Sequence, residues 1–360
     1  MSTRLWKGRA LVPDKLKVAM SGDFLNPDGS PAYPEFDVGL IRSHPDIALR
    51  YLDNGPEILS RQIEDTDALI LSDPSVNADS FSSDGRLALI ARFGVGYEKV
   101  DVEACTRNGV ALVITPDGVR RPVAVSILTL ILALTGRLLD KVRICREGPT
   151  GWARAAEFHG VGLVGKTLGS IGLGNIGAEM FRLAAPLGMK AIAHDPVTNP
   201  ALAKDLGVKL VDLETVIAES DILAINCPLN PATRHLLNRE RLALMKNTAF
   251  LINTARGAIV DQKALTEALK ARRIAGAGLD VLEVEPAGQS DPIFALDNVV
   301  ITPHALCWTD QLSSGCAEAA VKAVLHVLSG KEPRGLVNTE ILGNAAWRRK
   351  LDAFASRAGG

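Results

Sequence analysis

A glycine-rich turn between two apolar segments is the clearest chemical signal in the sequence. Residues 172–177 have the spacing G-x-G-x-x-G, after a strand-like run and before a helix-like one. Gly172 allows a tight turn, Gly174 lets a pyrophosphate approach the backbone, and Gly177 lets the helix pack closely. Unpaired N–H groups at the helix N-terminus favour the same anion. The predicted cofactor-binding residues of this turn are Gly172, Gly174, Asn175, Ile176 and Gly177.

An acidic residue ends the next strand-like run. Asp195 lies 18 residues after Gly177, where a carboxylate can accept hydrogen bonds from both adenosine ribose hydroxyls and repels a 2′-phosphate. No Arg or Lys occupies positions 193–197. The combination predicts NAD rather than NADP. The alternative is a glycine turn followed by an aspartate that merely begins a loop; the strand-turn-helix context weighs against it.

Three later loops carry residues suited to hydride chemistry: 253–257, 280–286 and 302–305. Oxidation of a secondary alcohol needs a base near neutral pKa, a cation for the carboxylate or developing alkoxide, and often a carboxylate behind the base. His304, Arg256 and Glu285 supply this set. Each alone would be interpreted as structural, but ligands bind beyond the carboxyl ends of parallel strands, where these loops lie.

The elements that must position these residues alternate between strand and helix. Apolar runs predict strands at 16–20, 68–72, 88–93, 111–115, 167–171, 190–194, 209–211, 222–226, 249–253, 276–280 and 299–302. Helices are predicted at 122–146, 175–187, 213–219, 262–272, 309–329 and 345–354. This pattern indicates an α/β fold class with two doubly wound parallel-sheet domains.

The position of the glycine turn sets the domain organisation. A dinucleotide-binding fold around residue 172 leaves about 120 earlier residues and a C-terminal segment, so a Rossmann NAD-binding domain is predicted to be inserted into a substrate domain built from both chain ends. The predicted boundaries are 1–118 with 308–360 for the substrate domain and 119–307 for the NAD-binding domain. Pro122 is expected in the first turn of one long apolar helix that makes the first crossing. The active site is expected in the interdomain cleft.

Composition excludes several classes of partner. The 360 residues hold 40 Lys and Arg against 41 Asp and Glu, a net charge of -1, which offers no general attraction for nucleic acid or acidic membranes. The apolar stretch 123–136 is too short to span a bilayer. The start lacks the apolar run of a secretory leader, and five cysteines form no C-x-x-C pair. We expect a cytoplasmic protein with reduced thiols and no metal site.

Several ordered motifs together resemble the D-isomer-specific 2-hydroxyacid dehydrogenase family, which includes phosphoglycerate dehydrogenases, glyoxylate and hydroxypyruvate reductases and D-lactate dehydrogenases. The resemblance covers about residues 65–340. The matching segments are GVGYEKVD (94–101), GKTLGSIGLGNIG (165–177), INTARG (252–257), GLDV (278–281) and TPH (302–304).

The resemblance implies roles for individual residues. Arg256 would bind the 2-oxo acid, His304 would exchange the proton, and Glu285, directly before a proline, would support His304; Glu283 competes for that last role by proximity alone. Asp280 would hold the nicotinamide carboxamide. The substrate carboxylate would meet Val95 and Gly96, further cofactor contacts are expected at Asn226, Pro228, Thr233, Thr254 and Ala255, and the family implies a homodimer.

Some positions depart from the family pattern. Val125 stands where an acid is common, and Arg120 and Arg121 precede it. Two arginines near a helix N-terminus oppose the helix dipole, which suggests either an interface or an anionic ligand. Contact with the substrate or cofactor is weighed against simple surface solvation. Bulky residues at 306–308 replace small ones after His304, and Asn226 stands where many members carry His. These changes leave the substrate undetermined.

The sequence therefore predicts an NAD-dependent oxidoreductase that acts on a small 2-hydroxy or 2-oxo acid. The competing prediction is an NAD(H)-sensing binding protein, like the family's corepressors, which keep the same three residues; the absence of long charge-patterned tails weighs against it. A regulated phosphoglycerate dehydrogenase is less consistent with the sequence, because the 22 residues after Asn338 are too few for an added effector domain.

Overall fold

A computed structural model describes residues 15–82 and 85–358 of the chain. The chain divides into two compact units. The first unit combines the N-terminal part up to Val119 with the C-terminal part from Ser313, and the second unit is Arg120–Leu312. Each unit has its own sheet and its own apolar core.

Among the described residues, twelve strands form the two sheets, and every pairing between these strands is parallel. The order is β2-β1-β3-β4-β5 in the first unit and β12-β11-β10-β9-β6-β7-β8 in the second. The predicted fold class is confirmed. The strands are β1 (Leu16–Met20), β2 (Ile47–Tyr51), β3 (Ala68–Leu71), β4 (Leu89–Arg92), β5 (Ala111–Val113), β6 (Thr167–Ile171), β7 (Lys190–His194), β8 (Lys209–Leu210), β9 (Ile222–Ile225), β10 (Phe250–Asn253), β11 (Gly276–Leu279) and β12 (Val299–Ile301).

Helices cover the sheets and join the strands. They are α1 (Gly39–Arg42), α2 (Ser60–Ile63), α3 (Val102–Arg107), α4 (Pro116–Thr135), α5 (Leu138–Arg146), α6 (Pro149–Trp152), α7 (Asn175–Ala184), α8 (Pro200–Asp205), α9 (Leu213–Glu219), α10 (Arg239–Leu242), α11 (Gln262–Lys270), α12 (Asp310–Leu328) and α13 (Ala345–Ala358). Several of them begin with a side-chain cap, such as Asp212 on α9 and Asp261 on α11.

Burial on both faces explains why most strands were visible in the sequence. All four residues of β3 and of β9 are buried, so each strand is a continuous apolar run. Strand β2 was missed. It lies at the edge of its sheet with only its first residue, Ile47, buried, and therefore has no such run.

The prediction of one long apolar helix over 122–146 was wrong at its start and in its continuity, although α5 ends at the predicted Arg146. Helix α4 begins at Pro116, and Pro122 lies inside it rather than in its first turn. Pro116 suits the first turn of a helix because of the same fixed φ, so the sequence contains two prolines that could each begin this helix. The predicted single helix also breaks after Thr135, because Arg137 has a φ of 51° in the left-handed region and α5 begins at the next residue.

Helix α4 has the length and composition of a membrane-spanning segment, with 20 residues rather than the shorter stretch considered from the sequence. However, 61% of its most apolar window is buried inside the protein. Apolar side chains of this helix, such as Ile127 and Leu130, are almost fully buried. This burial is the behaviour of a core helix.

The C-terminal segment completes the first unit. Trp347 of α13 is fully buried and donates from Nε1 to the carbonyl of Ala88 at 3.0 Å. Asn338, also fully buried, accepts from Leu112 N and donates to Val110 O at 2.9 Å each. These contacts join the two ends of the chain in one unit.

Candidate active site

The three motif glycines have different roles in the turn after β6. A Cβ on Gly172, whose φ is 100°, would lie 2.6 Å from the backbone of Asn226, and a Cβ on Gly177 would lie 2.7 Å from Gly172 O. These two glycines permit close packing of the turn against β9 and α7. Gly174 differs, since no atom lies within 4 Å of its Cβ position. The middle of the turn is open on that side.

Asp195 is bonded directly to the glycine turn. Its Oδ2 accepts from Leu173 N at 2.7 Å, and its Oδ1 accepts from Val197 N at 2.9 Å. The sequence suggested only a ribose ligand at this position. The structure adds a second task, because the carboxylate fixes the turn as well. A carboxylate oxygen with one such bond retains acceptor capacity.

Asn226 connects the end of β9 to the same turn. Its Nδ2 donates to Ser170 Oγ at 2.9 Å, and Ser170 Oγ donates to Gly172 O at 2.6 Å. Asn226 Oδ1 is buried and has no partner among the residues that the structure describes. Sequence reasoning missed Ser170, whose only signal is a polar residue in a buried strand.

The next predicted cofactor segment is an exposed turn. Thr233 Oγ1 donates to Pro228 O at 2.7 Å and accepts from Asn230 N at 2.8 Å. The candidate residues Pro228 and Thr233 are therefore bonded to each other, and the turn that follows β9 is closed by a side chain.

Strand β10 ends in a turn that is organised by a buried asparagine. Asn253 accepts from Ala255 N at 3.0 Å and donates to Arg256 O at 2.9 Å. The Arg256 guanidinium donates to Ala255 O at 2.6 Å. Thr254 Oγ1 is buried without a hydrogen-bond partner in the described part of the chain. Three predicted site residues thus lie in one tight turn.

Asp280, at the end of β11, anchors the loop that carries His304. Its Oδ1 accepts from Thr302 Oγ1 at 2.6 Å, from Ala305 N at 3.1 Å and from Leu306 N at 3.2 Å. Asp280 is buried, so these bonds satisfy a desolvated charge. The resemblance implied a cofactor contact here; the anchoring role was not predicted.

His304 and Glu285 form a hydrogen-bonded pair. His304 Nδ1 lies 2.7 Å from Glu285 Oε2, and Leu282 N donates to Glu285 Oε1 at 2.8 Å. Burial alone would raise the pKa of Glu285, but hydrogen bonds from His304 and Leu282 and the charges of His304 and Arg256 bring that pKa below its ordinary value. The carboxylate is therefore charged at neutral pH.

His304 has an unusual backbone conformation. Its φ of 55° lies in the left-handed region, which costs energy for a residue with a Cβ. The bonds from Ala305 and Leu306 to Asp280 hold the chain immediately after it. The loop geometry that aims the imidazole at Glu285 is thus maintained by neighbouring contacts.

Glu283, the competing carboxylate, contacts a different histidine. Its Oε1 lies 2.6 Å from His235 Nε2. Of the two acids in this loop, Glu285 is the one hydrogen-bonded to His304. Sequence reasoning missed His235, and spacing offered no signal for it, since 48 residues separate it from Glu283.

Val95 and Gly96, the predicted carboxylate-binding residues, lie in the first unit, whereas Arg256, Glu285 and His304 lie in the second. They follow β4 in a half-buried turn. Gly94 begins this turn with a φ of 102°, and its N–H donates to Thr115 Oγ1 at 2.8 Å. The conformation requires glycine at that position.

The two arginines at the start of the second unit differ. Arg121 pairs with Glu179 of α7, which also pairs with Arg182 at 3.3 Å. The hydrogen bond from Arg121, opposed by burial and reinforced by Arg182, lowers the pKa of Glu179. Arg121 thus has a partner within the chain, an ion pair that the sequence did not predict. The Nε atom of Arg120 is buried and has no hydrogen-bond partner in the part of the chain that the structure describes.

Comparison with known proteins defines the class. Residues 128–305 match the model of the D-isomer specific 2-hydroxyacid dehydrogenase, NAD binding domain. A glyoxylate reductase from Korarchaeum cryptofilum is 36% identical over 316 residues, which cover 86% of this chain and 94% of that protein. The chain belongs to the D-isomer specific 2-hydroxyacid dehydrogenase family. It is an NAD-dependent oxidoreductase, and the predictions of family and cofactor are confirmed.

Other relatives agree with this assignment. A D-3-phosphoglycerate dehydrogenase from Methanocaldococcus jannaschii is 37% identical over 284 residues, covering 78% of this chain but 53% of that longer protein. Among solved structures, the TT0316 protein from Thermus thermophilus superimposes with a TM-score of 0.77 at 32% identity, covering 89% of this chain and 100% of that one.

Proposed function

We propose that this protein exchanges a hydride between NAD and C2 of a small 2-oxo acid, with His304 as the proton carrier and Arg256 as the substrate-binding cation. The observation that carries the proposal is the 2.7 Å contact between His304 Nδ1 and Glu285 Oε2. The charge of Arg256 acts on the same carboxylate, so all three groups belong to one electrostatic site. The relatives named glyoxylate reductase make glyoxylate the first substrate to test.

The residues of the second unit fit the cofactor that the family implies. Gly174 leaves open space at the helix N-terminus, where a pyrophosphate would meet backbone N–H groups. The buried oxygens of Asn226 and Thr254 are available as polar partners. In its reduced form the bound cofactor would supply the hydride for reduction of the 2-oxo acid, and in its oxidised form it would accept the hydride in the reverse direction. We therefore propose the second unit as the NAD-binding domain, and the first unit, through Val95 and Gly96, as the domain that binds the substrate carboxylate.

The proton chemistry follows from the two ring nitrogens of His304. Its Nδ1 is engaged by Glu285, so Nε2 is the atom left to give a proton to the substrate oxygen. The charged carboxylate stabilises the imidazolium form before that transfer. Arg256 polarises the oxo group and stabilises the developing alkoxide, which lowers the barrier.

NADH oxidation against a panel of 2-oxo acids, with glyoxylate, hydroxypyruvate and pyruvate among them, tests the proposal. Turnover that depends on one of these acids supports it. A silent panel together with tight NADH binding, measured by fluorescence, supports the NAD(H)-sensing protein instead.

Cofactor choice is expected to follow Asp195. Its carboxylate meets ribose hydroxyls favourably but repels a 2′-phosphate, so NADH should be preferred over NADPH by roughly tenfold to a hundredfold. The measurement is the ratio of kcat/KM for the two cofactors with the best substrate. Equal kcat/KM values with NADH and NADPH would contradict this role. Asp195→Ala should reduce the preference without abolishing activity.

Glu285→Gln is expected to move the pH profile of reduction. The substitution keeps the shape of the side chain but removes the charge that favours the imidazolium of His304, so the falling limb should shift to lower pH by about one unit. The shift is measured from the profile of kcat/KM between about pH 5 and pH 9, which covers histidine titration on both sides of neutrality. Glu214→Gln, which removes a carboxylate paired with Arg241, is the control. An unmoved profile in Glu285→Gln would exclude the proton relay.

We also propose a cytoplasmic homodimer. Leu138 and Leu139 of α5 and Trp152 of α6 are 53%, 54% and 68% exposed, which is a large apolar surface for an isolated chain. A twofold-symmetric contact would cover it. Light scattering distinguishes the dimer from a 38.3 kDa monomer.

A further inference from the structure

We propose that Glu283 and His235 are a positioning pair that holds Glu285 against His304. The inference rests on the proposed function, because it assigns the pair a role in the proton relay. It starts from the observation that the loop after β11 carries two acids, each bonded to its own histidine, with Glu285 to His304 and Glu283 to His235.

Glu283 is fixed through both its side chain and its backbone. The carboxylate lies 2.6 Å from His235 Nε2 through Oε1, and Oε2 accepts from Gln262 N at 3.3 Å. The Glu283 N–H donates to Gln262 Oε1 at 2.8 Å. Gln262 is the first residue of α11, so the loop is tied to the start of a capped helix. The side chains of Glu283 and His235 are 28% and 41% exposed.

The anchoring of Glu283 reaches Glu285 through the preceding residue, Leu282. The backbone N–H of Leu282, the residue before Glu283, donates to Glu285 Oε1 at 2.8 Å. Glu285 can therefore present Oε2 to His304 only while the Leu282 amide keeps its direction. Losing the Glu283 carboxylate loosens the residue directly after Leu282, and with it the amide that orients the Glu285 carboxylate.

On its other side the loop is supported by close backbone packing. A Cβ on Gly257 would lie 1.9 Å from the carbonyl carbon of Leu282 and 2.4 Å from Glu283 N. The loop thus rests on the backbone next to Arg256. This backbone contact limits how closely the loop approaches Gly257, whereas the directional bonds at Glu283 are those of its carboxylate to His235 and Gln262 and of its N–H to Gln262.

His235 is itself held in place. Its φ is 49°, in the left-handed region, and its N–H donates to Ala258 O at 2.8 Å. Two residues earlier, Thr233 closes the turn that contains Pro228. The pair therefore connects the segment predicted to contact the cofactor with the loop that carries Glu285. A rigid partner is what a positioning contact needs.

The kinetic test uses Glu283→Ala, Glu283→Gln and His235→Ala, with Glu214→Gln as a control for loss of a paired surface acid. Glu283→Ala should lower kcat about tenfold while KM for the 2-oxo acid and NADH affinity change less than about twofold. Glu283→Gln keeps the neutral hydrogen bonds and should recover most of the loss. An unchanged kcat in Glu283→Ala would overturn the proposal.

A double-mutant cycle separates positioning from general damage. If Glu283 acts through Glu285, adding Glu283→Ala to Glu285→Gln should cost less than about a further twofold in kcat. Full additivity of the two losses would overturn the proposal. His235→Ala should lower kcat by about as much as Glu283→Ala does. The losses in kcat from these two substitutions should be non-additive for the same reason.

Amide hydrogen exchange tests the anchor without any turnover, so its outcome is independent of the proposed function. In the intact protein with no substrate, Glu283→Ala should speed exchange of the Leu282 amide by about tenfold or more, with thermal unfolding still cooperative. Equal exchange rates in the two proteins would overturn the proposal even if kcat falls. Should no 2-oxo acid be turned over, the proposed function fails, while faster exchange still supports the anchor.

Discussion

His304→Ala is expected to lower kcat for reduction of the best 2-oxo acid by about 10²- to 10⁴-fold, the usual contribution of a positioned general acid. NADH affinity should stay nearly unchanged, because the loop of His304 is anchored by Asp280 through Thr302 and the backbone N–H groups after His304, and alanine keeps those bonds. The measurements are steady-state kinetics and NADH fluorescence titration.

The control for this substitution is His159→Ala. His159 is an exposed histidine of the second unit and belongs to none of the contacts described for the site. The His159→Ala substitution should leave kcat unchanged. If His304→Ala retained most of the activity of the wild-type protein, another group would have to carry the proton, and the assignment of His304 would be wrong.

Arg256→Ala is expected to damage both kinetic parameters. The guanidinium binds the acid in the ground state and stabilises the alkoxide that develops during hydride transfer. KM for the acid should rise about tenfold, the worth of a charge-assisted hydrogen bond, and kcat should fall about 10²-fold. Arg256→Lys should recover part of the charge effect but not the bidentate hydrogen bonding that a guanidinium offers to a carboxylate.

Arg272→Ala is the matched control, since Arg272 lies in the same unit and pairs with Asp297 at the surface. A higher KM with unchanged kcat in Arg256→Ala would show that the residue contributes uniform binding only. In that case the alkoxide would need another cation, and the role proposed here for Arg256 would be reduced to substrate capture.

Local features of this protein were determined by the sequence itself. The glycine turn, Asp195 and all the predicted strands formed where the pattern indicated, because buried parallel strands need continuous apolar runs and a turn with close backbone contacts needs glycine. Edge strand β2 lacked that signal. The start of α4 at Pro116 rather than Pro122 was also undecided locally, because either proline satisfies the first turn of a helix.

Side-chain pairing was decided only by the tertiary structure. Proximity left both Glu283 and Glu285 as partners for His304, and the structure pairs Glu285 with His304 and Glu283 with His235. The anchoring of the His304 loop by Asp280 likewise joins residues from the ends of neighbouring strands. Spacing along the chain reports local conformation, whereas these contacts depend on how loops after separate strands meet at one edge of the sheet. That meeting is set by strand order and register, which no single segment of the sequence contains.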